Sequence, residues 1–199
     1  MSPRGRFISL EGGEGVGKST QVKALAAALR ERGLEVIETR EPGGSYGAEK
    51  IRELLLNPGE NWSAEAEALL FATARADHVE KTIKPALEQG QWVLSDRFLD
   101  SSLAYQGEAG RLGIERVRDV NRFGIGDFLP DRTFVLLFEE GSKEAIERAR
   151  ARDVERLVHD PRDLRRVLDH ERVLDDRHRD AGDVALLEGV GADQVRAHL

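Results

Sequence analysis

Cysteine is absent from this chain of 199 residues, which excludes disulfide cross-links, thiolate metal sites and a cysteine nucleophile. The absence agrees with a reducing compartment. Long apolar runs are also missing. No stretch approaches the ~18 residues that a membrane span needs, and Met1 to Arg6 lack the apolar run of a secretory leader. The expectation is a cytoplasmic protein with no membrane partner. There is no excess of positive charge either. With 37 acidic against 30 basic residues the formal charge is −7, so no overall field draws in a polyanion and a nucleic-acid polymer is not an expected partner. Basic residues do cluster locally, at Arg148, Arg150, Arg152 and Arg156 and again at Arg162, Arg165 and Arg166, where a local anion site could form.

What is present is the makeup of a globular protein, 40% hydrophobic and 34% charged. A chain of this length buries enough surface to hold its own core, so one domain over residues 1–199 is the expectation. Arg6 to Leu10 is a short apolar run that stops at Glu11 and a glycine cluster. Val22, Leu25, Ala26 and Leu29 then recur at helical spacing until Gly33, and Glu35 to Thr39 reads as a second strand. This opening is a βαβ unit.

Ser63 is placed to cap a long helix whose apolar stripe is Leu69, Ala72, Ala76, Val79, Ile83 and Leu87, with a kink expected at Pro85. Trp92 to Ser95 and Thr133 to Phe138 are continuous apolar runs, as strands covered on both faces require, and Val184 to Leu187 is a fifth candidate. Helical patterns alternate with these strands. The pattern predicts an α/β fold, a parallel sheet with helices on both faces, in which ligands gather outside the carboxyl ends of the strands. Glu11 and Asp96 fall at such ends. The segment Asp153 to Asp180, crowded with Arg, Asp and His, reads as a mobile excursion.

Gly12-Gly13-Glu14-Gly15-Val16-Gly17-Lys18-Ser19 matches G-x-x-x-x-G-K-[ST] in full. Glycines let such a loop curl until its backbone N–H groups point at phosphate oxygens, and the helix that follows adds its positive end. Lys18 is expected at the β- and γ-phosphates of a nucleoside triphosphate, with the Ser19 hydroxyl on Mg²⁺. The motif follows a predicted strand and opens a predicted helix, as its function requires; Thr20 completes the nucleotide-binding set. A second Mg²⁺ partner belongs at the end of another apolar strand. Asp96, closing Trp92-Val93-Leu94-Ser95-Asp96, is either that partner or the cap of the next helix.

A guanine-nucleotide switch is improbable, because neither N-K-x-D nor D-x-x-G occurs. Four segments instead carry a resemblance to the thymidylate kinases: Phe7 to Thr20, Thr39-Arg40-Glu41-Pro42-Gly43-Gly44, Leu70-Phe71-Ala72-Thr73-Ala74-Arg75, and Asp96-Arg97-Phe98-Leu99-Asp100-Ser101-Ser102-Leu103-Ala104-Tyr105-Gln106. They span most of the first 110 residues; Pro130-Asp131-Arg132-Thr133 and Glu188-Gly189 extend the similarity. The resemblance implies the three-layer nucleoside monophosphate kinase fold, with a five-stranded parallel sheet and a lid at about residues 148–165. It further implies phosphorylation of dTMP to dTDP with ATP and Mg²⁺, in dTTP synthesis, by a homodimer.

Phe71 and Arg75, spaced i, i+4, share a helix face roughly 100° from the apolar stripe and can face a pocket. By resemblance Phe71 stacks on thymine, Arg75 hydrogen-bonds the base edge, and Ser102 lies beside the base, with Ser101 and Gln106 in the same acceptor segment. Arg97 resembles the arginine that grips the acceptor phosphate, a task suited to a planar fork of donors. Tyr105 resembles the tyrosine that crowds the sugar's 2′ position. Glu14 resembles the family's acidic residue in the phosphate loop, which contacts the acceptor's 3′-hydroxyl or sits near the metal. Arg40 and Pro42 belong to the segment that, by resemblance, shapes the acceptor side, with phosphate contact expected for Arg40.

Phosphoryl transfer demands positioning and charge neutralisation rather than a general-base triad. The catalytic set implied is Lys18, Arg97, Arg152 and Arg156. Some family members carry an arginine directly after the acidic residue of the phosphate loop; here that position is Gly15, so the charge is expected from the lid. Beyond Arg156 the likeness weakens, with Asp169 where a phenylalanine is usual and Arg177 where a tyrosine is common. Two other readings stay open: a kinase of the same fold acting on dUMP or a deoxynucleoside, and a nucleotide-binding partner protein that has lost transfer.

Overall fold

The computed structural model describes residues 4–57, 59, 61–137 and 183–188. Its strands are β1 (Phe7–Gly12), β2 (Val36–Arg40), β3 (Trp92–Asp96), β4 (Arg132–Leu137) and β5 (Asp183–Glu188). They form one parallel sheet in the order β2-β3-β1-β4-β5, so the α/β reading and the five strands expected from the apolar runs are both met. The helices are α1 (Lys18–Glu31), α2 (Tyr46–Leu55), α3 (Ala64–His78), α4 (Lys84–Glu88), α5 (Leu99–Ser102) and α6 (Ile114–Ile125).

Alternation along β1 splits the interior into two cores, as period-2 side chains in a doubly covered strand must. Ile8 and Leu10 join Leu94, Phe134 and Leu136 beneath the α1 residues Val22, Leu25, Ala26 and Leu29. Phe7, Val93 and Val135 face the other way, onto Val79, Leu87, Leu103 and Val117. The sheet is thus sandwiched between α1 and the helices from α3 onward.

Three details differ from the sequence reading. Strand β1 does not stop at Glu11 but runs through Gly12, because Glu11 and Gly12 stay in register with Val135 and Leu136 of β4. Gly12 has φ 140°, and a Cβ there would lie 2.4 Å from the Leu136 carbonyl oxygen, so this close approach of two strands admits only glycine. The long helix predicted from Ser63 is broken: a π-helical turn, Val79–Ile83, separates α3 from α4, and Pro85 sits in the first turn of α4, where its missing N–H is tolerated. Leu69, placed on the apolar stripe, is 54% exposed; the buried side of α3 is Ala68, Ala72, Arg75 and His78. Ser63 does cap α3, its hydroxyl accepting from the Ala66 N–H at 3.3 Å. The lid at 148–165 and the excursion at 153–180, with Arg152 and Arg156, lie outside the described residues.

Candidate active site

A cleft of about 270 Å³ opens at the carboxyl ends of β1, β2 and β3, where the parallel-sheet rule puts a ligand. The phosphate loop forms one wall and the start of α5 another, while Pro42, Phe71 and Arg75 close the far side.

On the loop, the Lys18 ammonium donates to the carbonyl oxygens of Gly12 and Gly13, at 3.0 and 2.8 Å. Burial holds its pKa down, with Arg97 adding to the effect, to about 8; Asp96, Glu14 and Glu11 oppose the shift. Gly17 is the N-cap of α1, φ 96°, with no side-chain cap bond, so the helix start presents its own N–H groups to the loop. Gly15, Gly17, Lys18 and Ser19 line the cleft with Glu14. Val16 packs instead against the core under α1, and Thr20 is exposed.

The Ser19 hydroxyl donates to Asp96 Oδ2 at 2.7 Å, so the start of α1 and the end of β3 bring the two expected metal partners together. Asp96 does not cap the next helix, whose N-cap is Phe98. Mg²⁺ takes one or two protein oxygens and keeps several waters; this hydroxyl and carboxylate, on the cleft wall, suit it.

Arg97 adopts a left-handed backbone, φ 73°, a conformation disfavoured for a side chain with a Cβ and found where surroundings enforce it. The enforcement is visible: its N–H donates to Leu10 O at 2.9 Å, and its carbonyl accepts from the Ser95 hydroxyl at 2.7 Å. The guanidinium donates to Ser101 Oγ at 3.0 Å, to the Tyr105 hydroxyl at 3.3 Å and to Glu14 Oε1. Burial opposes its charge, but Tyr105, Glu14 and Glu11 together raise its pKa. Arg97 therefore stays a cation between the phosphate loop and the rest of the cleft.

Sequence reasoning saw the residue behind it only as the end of a strand. Glu11 is fully buried at the end of β1; Oε1 accepts from the Phe98 N–H at 2.6 Å and Oε2 from the Ser101 hydroxyl at 2.5 Å. Burial raises its pKa, opposed by Ser101, Arg97, the Phe98 N–H and Lys18.

Arg75 lines the cleft as expected, yet it is 2% exposed and belongs to the buried face of α3 rather than to a face set apart from it. Nε donates to Glu41 Oε2 at 2.7 Å, Nη1 to Asn121 Oδ1, and Nη2 to Phe98 O and Ser102 Oγ, both at 3.0 Å. Of the five guanidinium hydrogens, one on Nη1 is left among the described residues. Glu41 also meets His78 Nδ1 at 3.0 Å, and His78 Nε2 meets Thr39 Oγ1 at 2.8 Å. A Cβ on Gly44 would fall 2.3 Å from that Nε2, which explains the glycine after Gly43. Glu41, His78 and Asn121 were missed because nothing local in sequence announces a buried polar chain; only Glu41 lay within a quoted motif.

Phe71 is half-buried on the cleft wall. Tyr105 and Gln106 sit in a second π-helical turn, Leu103–Ala109, a distortion often found at functional sites; the Gln106 amide donates to Glu67 at 2.9 Å. Arg40 pairs with Glu49 at 2.9 Å, both partners half-exposed. Arg52, a further missed residue, donates to the Pro42 carbonyl at 2.7 Å and lines the cleft. Burial and Arg40 lower its pKa.

Comparison with known proteins agrees with this geometry. A thymidylate kinase of Rhizorhabdus wittichii is 68% identical over 133 residues, 66% of this chain and 64% of the relative. A thymidylate kinase of a Bradyrhizobium strain is 54% identical over 148 residues, 73% of this chain and 66% of the relative. The chain thus spans just under two thirds of the length of these relatives. The crystal structure of thymidylate kinase from Ehrlichia chaffeensis superposes with TM-score 0.73 at 29% identity, covering 99% of this chain and all of that one. The thymidylate kinase family model itself matches residues 10–174, and on this match, with the phosphate loop and Arg97 meeting in one cleft, the chain belongs to the thymidylate kinase family.

Proposed function

We propose that the protein transfers the terminal phosphoryl group of ATP to dTMP, forming dTDP for dTTP synthesis. The observation that carries this reading is Arg97, a partly buried cation bonded to Glu14 of the phosphate loop and lining the same cleft as Phe71 and Arg75. A phosphate on the acceptor side can meet its fork of donors while a triphosphate rests on Gly12 to Ser19.

In this reading Lys18 exchanges two loop carbonyls for β- and γ-phosphate oxygens, and the negative charge of those oxygens restores its full protonation. Phe71 supplies an apolar face for the pyrimidine. The remaining Nη1 hydrogen of Arg75 donates to a base carbonyl, which favours thymine over a base with an amino group there. Ser102 and Gln106 line the base side, and Tyr105, held by Arg97, crowds the sugar. Arg40 and Arg52 add positive charge near the acceptor phosphate; Ser101 braces Arg97. Ser19 and Asp96 would hold Mg²⁺, which neutralises phosphate charge when bound. Arg152 and Arg156 would complete the charge on the transferred group from a lid at 148–165, within one domain of 199 residues.

Two copies are proposed to pair. Leu69 on α3 and Phe123 on α6, 54% and 97% exposed, stand on helices that pack together and offer apolar surface. Absence of cysteine supports a cytoplasmic setting, and among the described residues no helix is long and apolar enough to cross a membrane.

The test is ADP release with dTMP, dUMP or the 2′-hydroxyl form of TMP as acceptor, with and without Mg²⁺. Release with dTMP, lost without Mg²⁺, is expected; release only with another acceptor would overturn the substrate, and none with any acceptor would overturn transfer.

A further inference from the structure

Glu11 does not itself line the cleft; it is a carboxylate 0% exposed near the end of a core strand. Burying such a group is expensive unless each oxygen is satisfied, and its two partners are specific. Oε1 takes the Phe98 N–H, the donor that directly follows the left-handed Arg97, and Oε2 takes the Ser101 hydroxyl. Ser101 Oγ in turn accepts from Arg97 Nη1 at 3.0 Å. The carboxylate therefore holds Arg97 twice, by the backbone that follows it and through a hydroxyl relay to its side chain. The relay has a fixed polarity: guanidinium to hydroxyl, hydroxyl to carboxylate. Its negative charge also faces the Arg97 cation, and Gly12 of the phosphate loop is the next residue.

We propose that Glu11 is a positioning residue that sets the Arg97 guanidinium to grip the acceptor phosphate; this rests on the reading of Arg97 given above. Glu14 also bonds Arg97, but from a loop wall that a bound triphosphate can rearrange, whereas Glu11 is anchored in the sheet. An amide at position 11 keeps the shape and one acceptor. It turns the other contact into a donor, so that Ser101 receives two hydrogens and its own is left without a partner.

The experiment measures calorimetric affinities for dTMP and for thymidine, which lacks the phosphate; their ratio isolates the phosphate grip and needs no turnover. Wild type, Glu11→Gln, Arg97→Ala and the double variant form the cycle. Glu11→Gln is expected to lower the ratio about tenfold, with thymidine and ATP affinities changed less than about twofold, as for loss of a charge-assisted contact. In the Arg97→Ala background the same substitution is expected to leave the ratio unchanged. An undiminished ratio in Glu11→Gln, an equal drop in both backgrounds, or wild-type binding of dTMP no tighter than thymidine would each overturn the inference. If Glu11→Gln lacks a cooperative unfolding transition, Ser101→Ala takes its place under the same criteria, since it removes the relay and spares the Phe98 bond. Turnover of dTMP, assayed separately, tests the transfer reading: a normal ratio effect without turnover refutes transfer alone, and turnover without the ratio effect refutes this inference alone.

Discussion

Replacing Glu41 by alanine removes the carboxylate that pairs with Arg75, and the consequence can be worked from the geometry. The Arg75 and Glu41 side chains are 2% and 4% exposed, and the Nε–Oε2 distance is 2.7 Å. Without Glu41, Arg75 keeps only neutral partners, Asn121, Ser102 and the Phe98 carbonyl. Breaking a buried pair by deleting one member costs about 3–5 kcal/mol, against roughly 0.2–1 for an exposed pair. For a domain whose total stability is about 5–15 kcal/mol, that is a large share. With a urea m-value of about 2 kcal/mol/M, a loss of about 4 kcal/mol moves the unfolding midpoint down by about 2 M.

The assay is urea unfolding of wild type, Glu41→Ala, Arg75→Ala and the double variant. The coupling energy of this cycle is expected at about 2–3 kcal/mol, because residues in one polar network are not independent. A coupling below about 1 kcal/mol would mean that the two charges do not depend on each other in the folded core, and the account of Arg75 as a caged base reader would fall with it.

Four further outcomes follow from the same structure. Lys18, with its pKa held near 8 against the ordinary 10.5, binds fewer protons folded than unfolded between those values, so its contribution to stability rises with pH across pH 8 to 10.5; Lys18→Met is expected to remove that rise from a set of urea curves. Above pH 8 triphosphate binding must also take up a proton, so the affinity of a fluorescent ATP analogue without Mg²⁺ should fall by up to about tenfold per pH unit. Asp96→Asn is expected to raise the Mg²⁺ concentration for half-maximal ADP release about tenfold or more, with the Mg²⁺-free affinity for the analogue little changed. Phe123→Glu, at a side chain 97% exposed, should change single-chain stability by less than about 0.5 kcal/mol while shifting sedimentation from dimer to monomer.

Much of the architecture was legible because it rests on local patterns. The runs around Phe7, Trp92 and Thr133 announce doubly covered strands, and Gly12 to Ser19 states its chemistry within eight residues. Legibility failed where an effect depends on contacts distant in the chain. Glu41 meets Arg75 across 34 positions and Arg75 meets Asn121 across 46, and a 3.6-residue period sets Arg75 on a face apart from the apolar stripe. The same period assigned Leu69 inward, since it registers side-chain type and not which helix stands opposite. The π turns at Val79–Ile83 and Leu103–Ala109 escape it too, because a one-residue slip in hydrogen bonding leaves the composition unchanged. Glu11 was legible only as the end of a strand; its role needs Phe98 and Ser101, 87 and 90 positions away.

The central claim is that Arg97 joins the donor loop to an acceptor phosphate, and its most direct test is ADP release at saturating ATP and Mg²⁺ as dTMP is titrated into wild type and Arg97→Ala. The account expects wild type to release ADP in proportion to dTMP consumed, and the variant to need about ten- to hundred-fold more dTMP with ATP affinity nearly normal. A dTMP dependence identical in the two proteins, or no dTMP-dependent release by wild type, would contradict it.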